Sequence, residues 1–282
     1  MLHIFTGKLG LDPSLIPKAL KEVMEENAVG DRGPGTHILT GPIHINGGEP
    51  GDILEVHIKD IELTVPFGYN RNVYGLGVLP EDFPYSAIRI LRLDLGRMTS
   101  EVLPGVIIPL HPFFGNLGVA PPPEQGRISS GPPGIHGGNL DNKELIAGTI
   151  VHFPIHFQGA LFSVGDAHAI QGDGEINLSA IETFAKGTFQ FFIRKNKRIK
   201  WPRAETPTHF ITMGLHEDLN MAAKMAVREM VEYLSEEKRI HSEYAYMIIS
   251  LIVDLHVTQL VNGIKGIHAM LPKSIFEKEL GE

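Results

Sequence analysis

The chain of 282 residues contains no cysteine. That one absence removes disulfide staples, thiolate metal sites and any thiol nucleophile. It fits a reducing compartment, and the cytoplasm is the expected location. Long apolar runs are missing as well: the longest, "YMIISLIV", is too short to span a bilayer. The opening "MLHIFTGKLG" has neither the basic start nor the apolar core of a secretory signal. Basic charge is in deficit, with a formal net charge of −8. A nucleic-acid binder normally carries a basic patch or stripe. The densest basic stretch here, "RKNKRIK" (194–200), is short and reads as a solvated hairpin loop between strands. Neither a nucleic acid nor a membrane is expected as a partner. There is also no GxSxG elbow, no P-loop and no GxGxxG after a strand.

What remains is an ordinary globular composition, 43% hydrophobic and 21% charged, long enough for one large core or two coupled lobes. Residues 1–35 read as a helix-like extension: "SLIPKALKEVMEE" predicts a helix from near Ser14 with Pro17 in its first turn, and "GDRGPG" closes it as a loop. From about 36 to 200 the texture is β. "HILTGPIHI", "DILEVHIKDIEL", "AIRILRLDL", "GTIVHFPIHF", "ALFSV", "EINLSAIETF" and "TFQFFIRK" are short, often alternating runs separated by Gly and Pro clusters. That pattern predicts a sandwich or barrel. Over 201–282 helical spacing appears, and this α/β segment is expected to pack on the same body. Leu219, Ala223, Ala226, Met230 and Leu234 mark a helix over 218–236. Ala245, Ile248, Ile249, Ile252 and Leu255 mark a second from Ser242 to Leu255. The expected class is mainly β with added α: a β-sandwich plus C-terminal helices.

Chemistry-bearing residues gather in two glycine-rich stretches. "GDAHAIQGDGE" (165–175) sets two aspartates, a histidine and a glutamate among three glycines. Read as a loop between strands "GALFSV" and "EINLSAIET", it places Glu175 at a strand mouth, on the face shared with Asn177 and Ser179. A hairpin turn with ordinary polar residues explains this stretch equally well on local grounds. "GPPGIHGGNLDNKEL" (131–145) repeats the chemistry with His136, Asn139, Asp141 and Asn142 around Gly137 and Gly138. Two such stretches in one β domain can converge on a site, with His136, Asp141, His168 and Glu175 supplying ligands and a base. His152 and His156 of "VHFPIHF" share a strand face, which reads better as a polar outer face than as a metal pair. Turn chemistry accounts for Glu49 and Asp52 in "NGGEPGD".

Together with "LTGPIHINGGEPGDILEVHI", "LPEDFPYSAIRI", "LHPFFGNLGVAPP", "WPRAETPTHFITMGLHEDL" and "DLHVTQLVNGIKGIHAMLPKSIF", these stretches resemble the acetamidase/formamidase family in order, from about residue 36 to 276. GGN-x-D with GD-x-H-x-x-QGDGE is the specific combination. The resemblance implies a jelly-roll-like β-sandwich with C-terminal helices, hydrolysis of small aliphatic amides to acid and ammonia, oligomers built from dimers, and zinc or calcium near the motif loops. It carries the family motif onto Asn139, Asp141, Asp166, His168, Asp173 and Glu175, with His136 matching members that have histidine before GGN. The chain departs from the family in its helix-like start and in Ala167, where many relatives have glycine.

Amide hydrolysis needs a nucleophile, oxyanion stabilisation and a proton for departing ammonia. With no cysteine and no serine elbow, metal-activated water is the expected nucleophile. Asp141 and His168 are expected to bind the ion, with His136 or Asp166 completing the shell. Zinc is the expected metal, and calcium the alternative that Asp- and Asn-rich loops suit. Glu175 is the expected base, with Asp141 and Asp173 as the other carboxylates for that role, and Asn139, Gly138 and Gly172 are expected to border the substrate. Competing readings are hydrolysis of a larger or cyclic amide, and a non-catalytic sandwich holding a small ligand or structural calcium. A homodimer or higher homo-oligomer is expected.

Overall fold

A computed structural model of the chain describes residues 12–26 and 33–276. Among the described residues, fifteen strands form three antiparallel sheets. The largest orders β11 (Ala185–Arg194), β2 (Ile53–Leu63), β9 (Ile150–Pro154), β12 (Arg203–Glu205), β13 (His209–His216), β15 (Lys265–Pro272) and β14 (Asp254–Gln259). A four-stranded sheet packs against it, in the order β1 (Leu39–Ile43), β10 (Phe162–His168), β7 (Phe113–Gly118) and β8 (Gly137–Asn139). The chain crosses repeatedly between these two layers, β1 to β2, β8 to β9, β9 to β10 and β10 to β11, which gives the sandwich its jelly-roll character. A third sheet runs β3 (Phe67–Asn72), β4 (Ala87–Asp94), β5 (Thr99–Leu103) and β6 (Val106–Pro109).

The sandwich closes because its strands alternate. On β2, Leu54, Val56 and Ile58 are buried in the core, and β11 adds Phe189, Phe191 and Ile193 along a register running from Ala185 opposite Leu63 to Arg194 opposite Ile53. Phe162 of β10 stands 5.1 Å from Phe191 and 5.8 Å from Phe189. Full burial of a ring such as Phe162 contributes about 1.5–3 kcal/mol, and the partly buried Phe189 and Phe191 less. This packing anchors the strand that, four and six residues later, carries Asp166 and His168. One core cluster runs from Leu54 to Met270, so strands on either side of residue 200 bury side chains together.

Behind β13 and β15 lie α2 (Leu219–Glu237) and α3 (Ser242–Ile252). Asp218 caps α2 by accepting the Met221 N–H at 2.9 Å. Ala222, Ala226, Met230 and Leu234 form its buried stripe. Gly214 of β13 permits the close approach, since a Cβ there would collide with the Ala222 carbonyl. No helix among the described residues is long and apolar enough to cross a membrane.

Several expectations are corrected. The N-terminal helix begins at Lys18, not near Ser14: Pro13–Leu15 form a single 3-10 turn, and α1 spans Lys18–Glu26. Part of "GDRGPG" lies outside the described residues. The α3 helix stops at Ile252, so Leu255 belongs to edge strand β14 and, with Ile252, is exposed rather than buried. "RKNKRIK" is not a hairpin loop: it leads from β11 to β12, which are separated in the sheet by β2 and β9. "EINLSAIETF" is an irregular segment rather than a strand, because Glu175 and Leu178 take positive φ of 46° and 76° and break the extended path.

Candidate functional site

Strand β10 reaches further than expected and takes "GDAH" into the sheet. Phe162 and Val164 pack in the core. Asp166 then adopts φ of 58°, and Ala167 returns to the core. Asp166 and His168 project together, with Asp166 Oδ2 3.4 Å from His168 Nε2. His168 is fully buried, edge-on to Phe113 across the strand pair at 5.0 Å. Opposite Asp166, on β7, stands Gly115. A Cβ on Gly115 would collide with Asp141 Oδ1 and lie 2.8 Å from both Asp166 Oδ2 and His168 Cε1. The missing methyl group leaves space at the point where three ligand-capable side chains meet.

Asp141 arrives from the turn after β8, with φ of 47°. Three amides fix it. Asn139 Nδ2 donates to its Oδ2 at 2.7 Å, Asn262 Nδ2 donates to the same oxygen at 2.5 Å, and Gln171 Nε2 donates to its carbonyl at 2.8 Å. This leaves Oδ1 without a partner. Glu175 approaches from the other side at φ of 46°. Its turn is tied to β14, since Gly174 N–H donates to the Thr258 carbonyl at 3.2 Å and Leu260 N–H donates to the Gly174 carbonyl at 3.1 Å. Three site carboxylates therefore sit at a left-handed backbone that non-glycine residues seldom adopt, a strain that clusters at functional sites.

The electrostatics follow from burial and crowding. His168 lies between two carboxylates, with Glu182 Oε2 3.3 Å and Asp166 Oδ2 3.4 Å from Nε2. Burial opposes its positive charge, but Glu182 and Asp166 outweigh it and hold the pKa well above the ordinary histidine value. Burial likewise pushes Asp166 up, yet His168 and then His37, whose Nε2 is 3.7 Å away, bring its carboxyl below the usual range. Asp141 and Glu175 are both raised. Burial is the first cause in each, offset for Asp141 by His168 and reinforced for Glu175 by the charge of Asp141.

The residues fit a small divalent cation. Asp141, Asp166 and His168 each offer a ligand atom, all within 4.8 Å of one another, and His168, Glu175 and Glu182 form a second such set. Asp141 Oδ1, both His168 ring nitrogens and Glu175 Oε2 are buried without a hydrogen-bond partner. Buried polar atoms are normally satisfied, so four such atoms in one cluster call for a ligand.

Other expected residues fall elsewhere. His136 is not brought to this cluster. It precedes β8, and Gly137 and Gly138, with φ of 88° and 80°, turn the chain between it and Asn139. It is buried beside Gly134 and Gly138, and burial, then His156, push its pKa down to about 4. The donor nitrogen of Asn139 is engaged by Asp141. Gly138 is packed against His136, whereas Gly172 faces open space. Asp173 turns away from Glu175 to meet His256 Nδ1 at 2.9 Å and Lys143 Nζ at 3.1 Å. His152 and His156 do not pair: His152 faces Glu55, and His156, beyond the end of β9, reaches the Ile135 carbonyl at 3.4 Å.

Four contributors were missed from sequence. Reading 175–184 as a strand hid Glu182, because residues seven apart on a strand face opposite ways. Asn262 lies in the "NG" turn between β14 and β15, a dipeptide that signals a hairpin but not a reach to Asp141. Gly115 and His37 carry no local signal of their role.

The family model described as the Acetamidase/Formamidase family matches residues 33–129 and 126–278. A putative formamidase of Schizosaccharomyces pombe is 31% identical over 216 residues, covering 57% of this chain. The chain spans only 52% of that relative's length. Among solved structures, the acetamidase from Bacillus halodurans superposes with a TM-score of 0.80 at 35% identity, over 86% of this chain and 81% of its own. The gamma lactamase from Delftia acidovorans superposes with a TM-score of 0.57 at 26% identity, over 86% of this chain and 78% of its own. With a family model matched across most of its length, and Asp141, Asp166, His168 and Glu175 of the motif gathered at one buried site, the chain belongs to the acetamidase/formamidase family.

Proposed function

We propose that this protein hydrolyses small linear amides, of the formamide and acetamide class, to a carboxylic acid and ammonia. The observation that carries the reading is the convergence of Asp141, Asp166, His168 and Glu175 at Gly115, with Asp141 Oδ1, the His168 ring nitrogens and Glu175 Oε2 lacking a hydrogen-bond partner among the described residues. Asp141, Asp166 and His168 would hold a divalent cation, and the mixture of imidazole and carboxylate favours zinc over calcium. Such an ion, when bound, lowers the pKa of water and polarises a carbonyl. Glu175 is the base. Burial first, and the charge of Asp141 second, raise the pKa of its carboxyl to about 10. A bound cation would offset both and favour the ionised form, whose Oε2 can take a proton from water and return it to the amide nitrogen as ammonia leaves. Asp173 is too committed to Lys143 and His256 for that role. Asn139, Asn262 and Gln171 act by orienting Asp141.

Cyclic amides are the second reading, favoured by the structural likeness to the Delftia lactamase. Ammonia release from formamide, acetamide and larger amides, and formation of the ring-opened γ-amino acid from a γ-lactam, before and after chelation and zinc restoration, test both. No turnover of any amide by the zinc-restored protein would overturn the function. Full activity in metal-free protein would overturn the role of the metal. A cytoplasmic homodimer completes the reading, supported by the exposed apolar row Tyr244, Met247 and Leu251 on α3. A monomer in light scattering would remove the dimer.

A further inference from the structure

We infer that Asp173, His256 and His268 form a second, separate cation site that takes a nitrogen-seeking divalent ion of the zinc type. His256 and His268 are register partners on β14 and β15, and their rings stack at 5.1 Å with 12° between planes. The three side chains each offer a ligand atom, all within 4.8 Å of one another. His268 is completely buried, and its Nδ1 lies 2.8 Å from Thr258 Oγ1. That contact engages one ring nitrogen, as an outer partner does for a metal-bound histidine. The other nitrogen, Nε2, is buried with no partner, and so is Asp173 Oδ1.

An ion pair alone does not explain this arrangement. Lys143 Nζ and His256 Nδ1 both meet Asp173 Oδ2, at 3.1 Å and 2.9 Å, and account for that oxygen only. Among the described residues nothing satisfies Oδ1 or His268 Nε2. Lys143 is about a third exposed, at 32% of its side chain, and its long stem can swing to solvent. In the metal-free chain its ammonium supplies the positive charge that a cation would replace. Two imidazoles and one carboxylate match zinc-type coordination, and the nitrogen ligands count against calcium and magnesium. Asp173 and Glu175 flank Gly174, so an ion here would brace the turn that carries Glu175.

The inference does not depend on the amidase reading, and its test separates the two. Metal-free full-length protein is dialysed against Zn²⁺ and the bound ion is counted by elemental analysis. The wild type should bind two ions per chain. His268→Ala and the more exposed His256→Gln should each bind one, as should His168→Ala through loss of the other site. Lys143→Gln should tighten the second site several-fold by removing the competing ammonium. If His256→Gln and His268→Ala bind as many ions as the wild type, the second site is overturned while the site at His168 stands. If a single ion binds and only His256→Gln or His268→Ala loses it, the second site stands and the metal at His168 is overturned. Should His268→Ala fail to fold, His256→Gln and Lys143→Gln decide, and unchanged Zn²⁺ binding in both overturns the proposal.

Discussion

Two clusters in this molecule pair imidazoles with a buried carboxylate, and they are built in opposite ways. On the largest sheet Glu55 accepts from His57 Nε2 at 2.6 Å, and from Arg194 Nε at 2.6 Å and NH2 at 2.9 Å, with His152 Nε2 3.4 Å away. Both of its oxygens are satisfied and its charge is answered by a guanidinium. Around Gly115 the reverse holds: Asp141, Asp166, Glu175 and Glu182 crowd one imidazole, and four polar atoms stay unpaired. A structural cluster closes its own hydrogen bonds, whereas a functional one leaves them for a ligand. Composition alone does not separate the two, since both are histidine with carboxylate. Satisfaction does.

Removing His168 should break the contrast most severely. It belongs to both overlapping ligand sets, so His168→Ala should lose the metal bound there and reduce amide hydrolysis to background. Metal retained with full turnover would place His168 among the structural histidines, beside His152. Glu175→Gln comes next. It keeps the shape and removes the proton acceptor, so kcat should fall by roughly 10²–10⁴-fold with metal content unchanged, as for a positioned acid–base group. Loss of metal in this variant would make Glu175 a ligand instead. Gly115→Ala is subtler. Its Cβ would collide with Asp141 Oδ1 and press on Asp166 and His168. A displacement of about 1 Å costs on the order of 10²-fold in rate, so kcat should drop by about that factor while the melting temperature changes little. A large loss of melting temperature would show that the space matters for packing alone.

Much of the sandwich was legible because alternation is a local signal. "DILEVHIKDIEL" becomes β2 and "TFQFFIRK" falls within β11, for the same reason that Leu54, Val56 and Ile58 bury together. The site was legible only in its motif residues. Asp141, Asp166, His168 and Glu175 could be named because carboxylate and imidazole gather near glycines. Their geometry could not be read, because it depends on left-handed backbone at three non-glycine residues, which no propensity favours. The same blind spot turned 175–184 into a strand and concealed Glu182. His136 lies apart for a related reason: Gly137 and Gly138, with φ of 88° and 80°, turn the chain between it and Asn139, so proximity in sequence does not give proximity at the site. Gly115 marks the limit, since its role is an absence of atoms that only the folded neighbours define.

The smallest effect is expected at the cluster that closes on itself, and it should appear in stability rather than activity. The hydrogen bond from His152 holds the pKa of Glu55 far below the carboxylate range. Burial opposes this, and Arg194 and His57 reinforce it. In the unfolded chain a glutamate titrates near about 4.3. A group depressed on folding stabilises the native state fully above its unfolded pKa and loses that contribution as the pH falls toward the folded value. Glu55→Gln should therefore lower stability at neutral pH by about 1 kcal/mol, a modest figure because hydrogen bonds contribute little net and an exposed Arg194 is screened by solvent. The melting temperature should fall by about 2–4 °C. The gap between variant and wild type should narrow as the pH drops below about 4, where the wild-type carboxylate begins to lose its own advantage. Amide hydrolysis and metal content should be unchanged at pH 7. If Glu55→Gln instead loses metal or turnover, the outer cluster is functional too, and satisfied hydrogen bonds no longer distinguish the two. If the stability gap stays constant from pH 7 to pH 3, the ionised network around Glu55 contributes nothing and His57 and His152 merely border its carboxylate on the sheet.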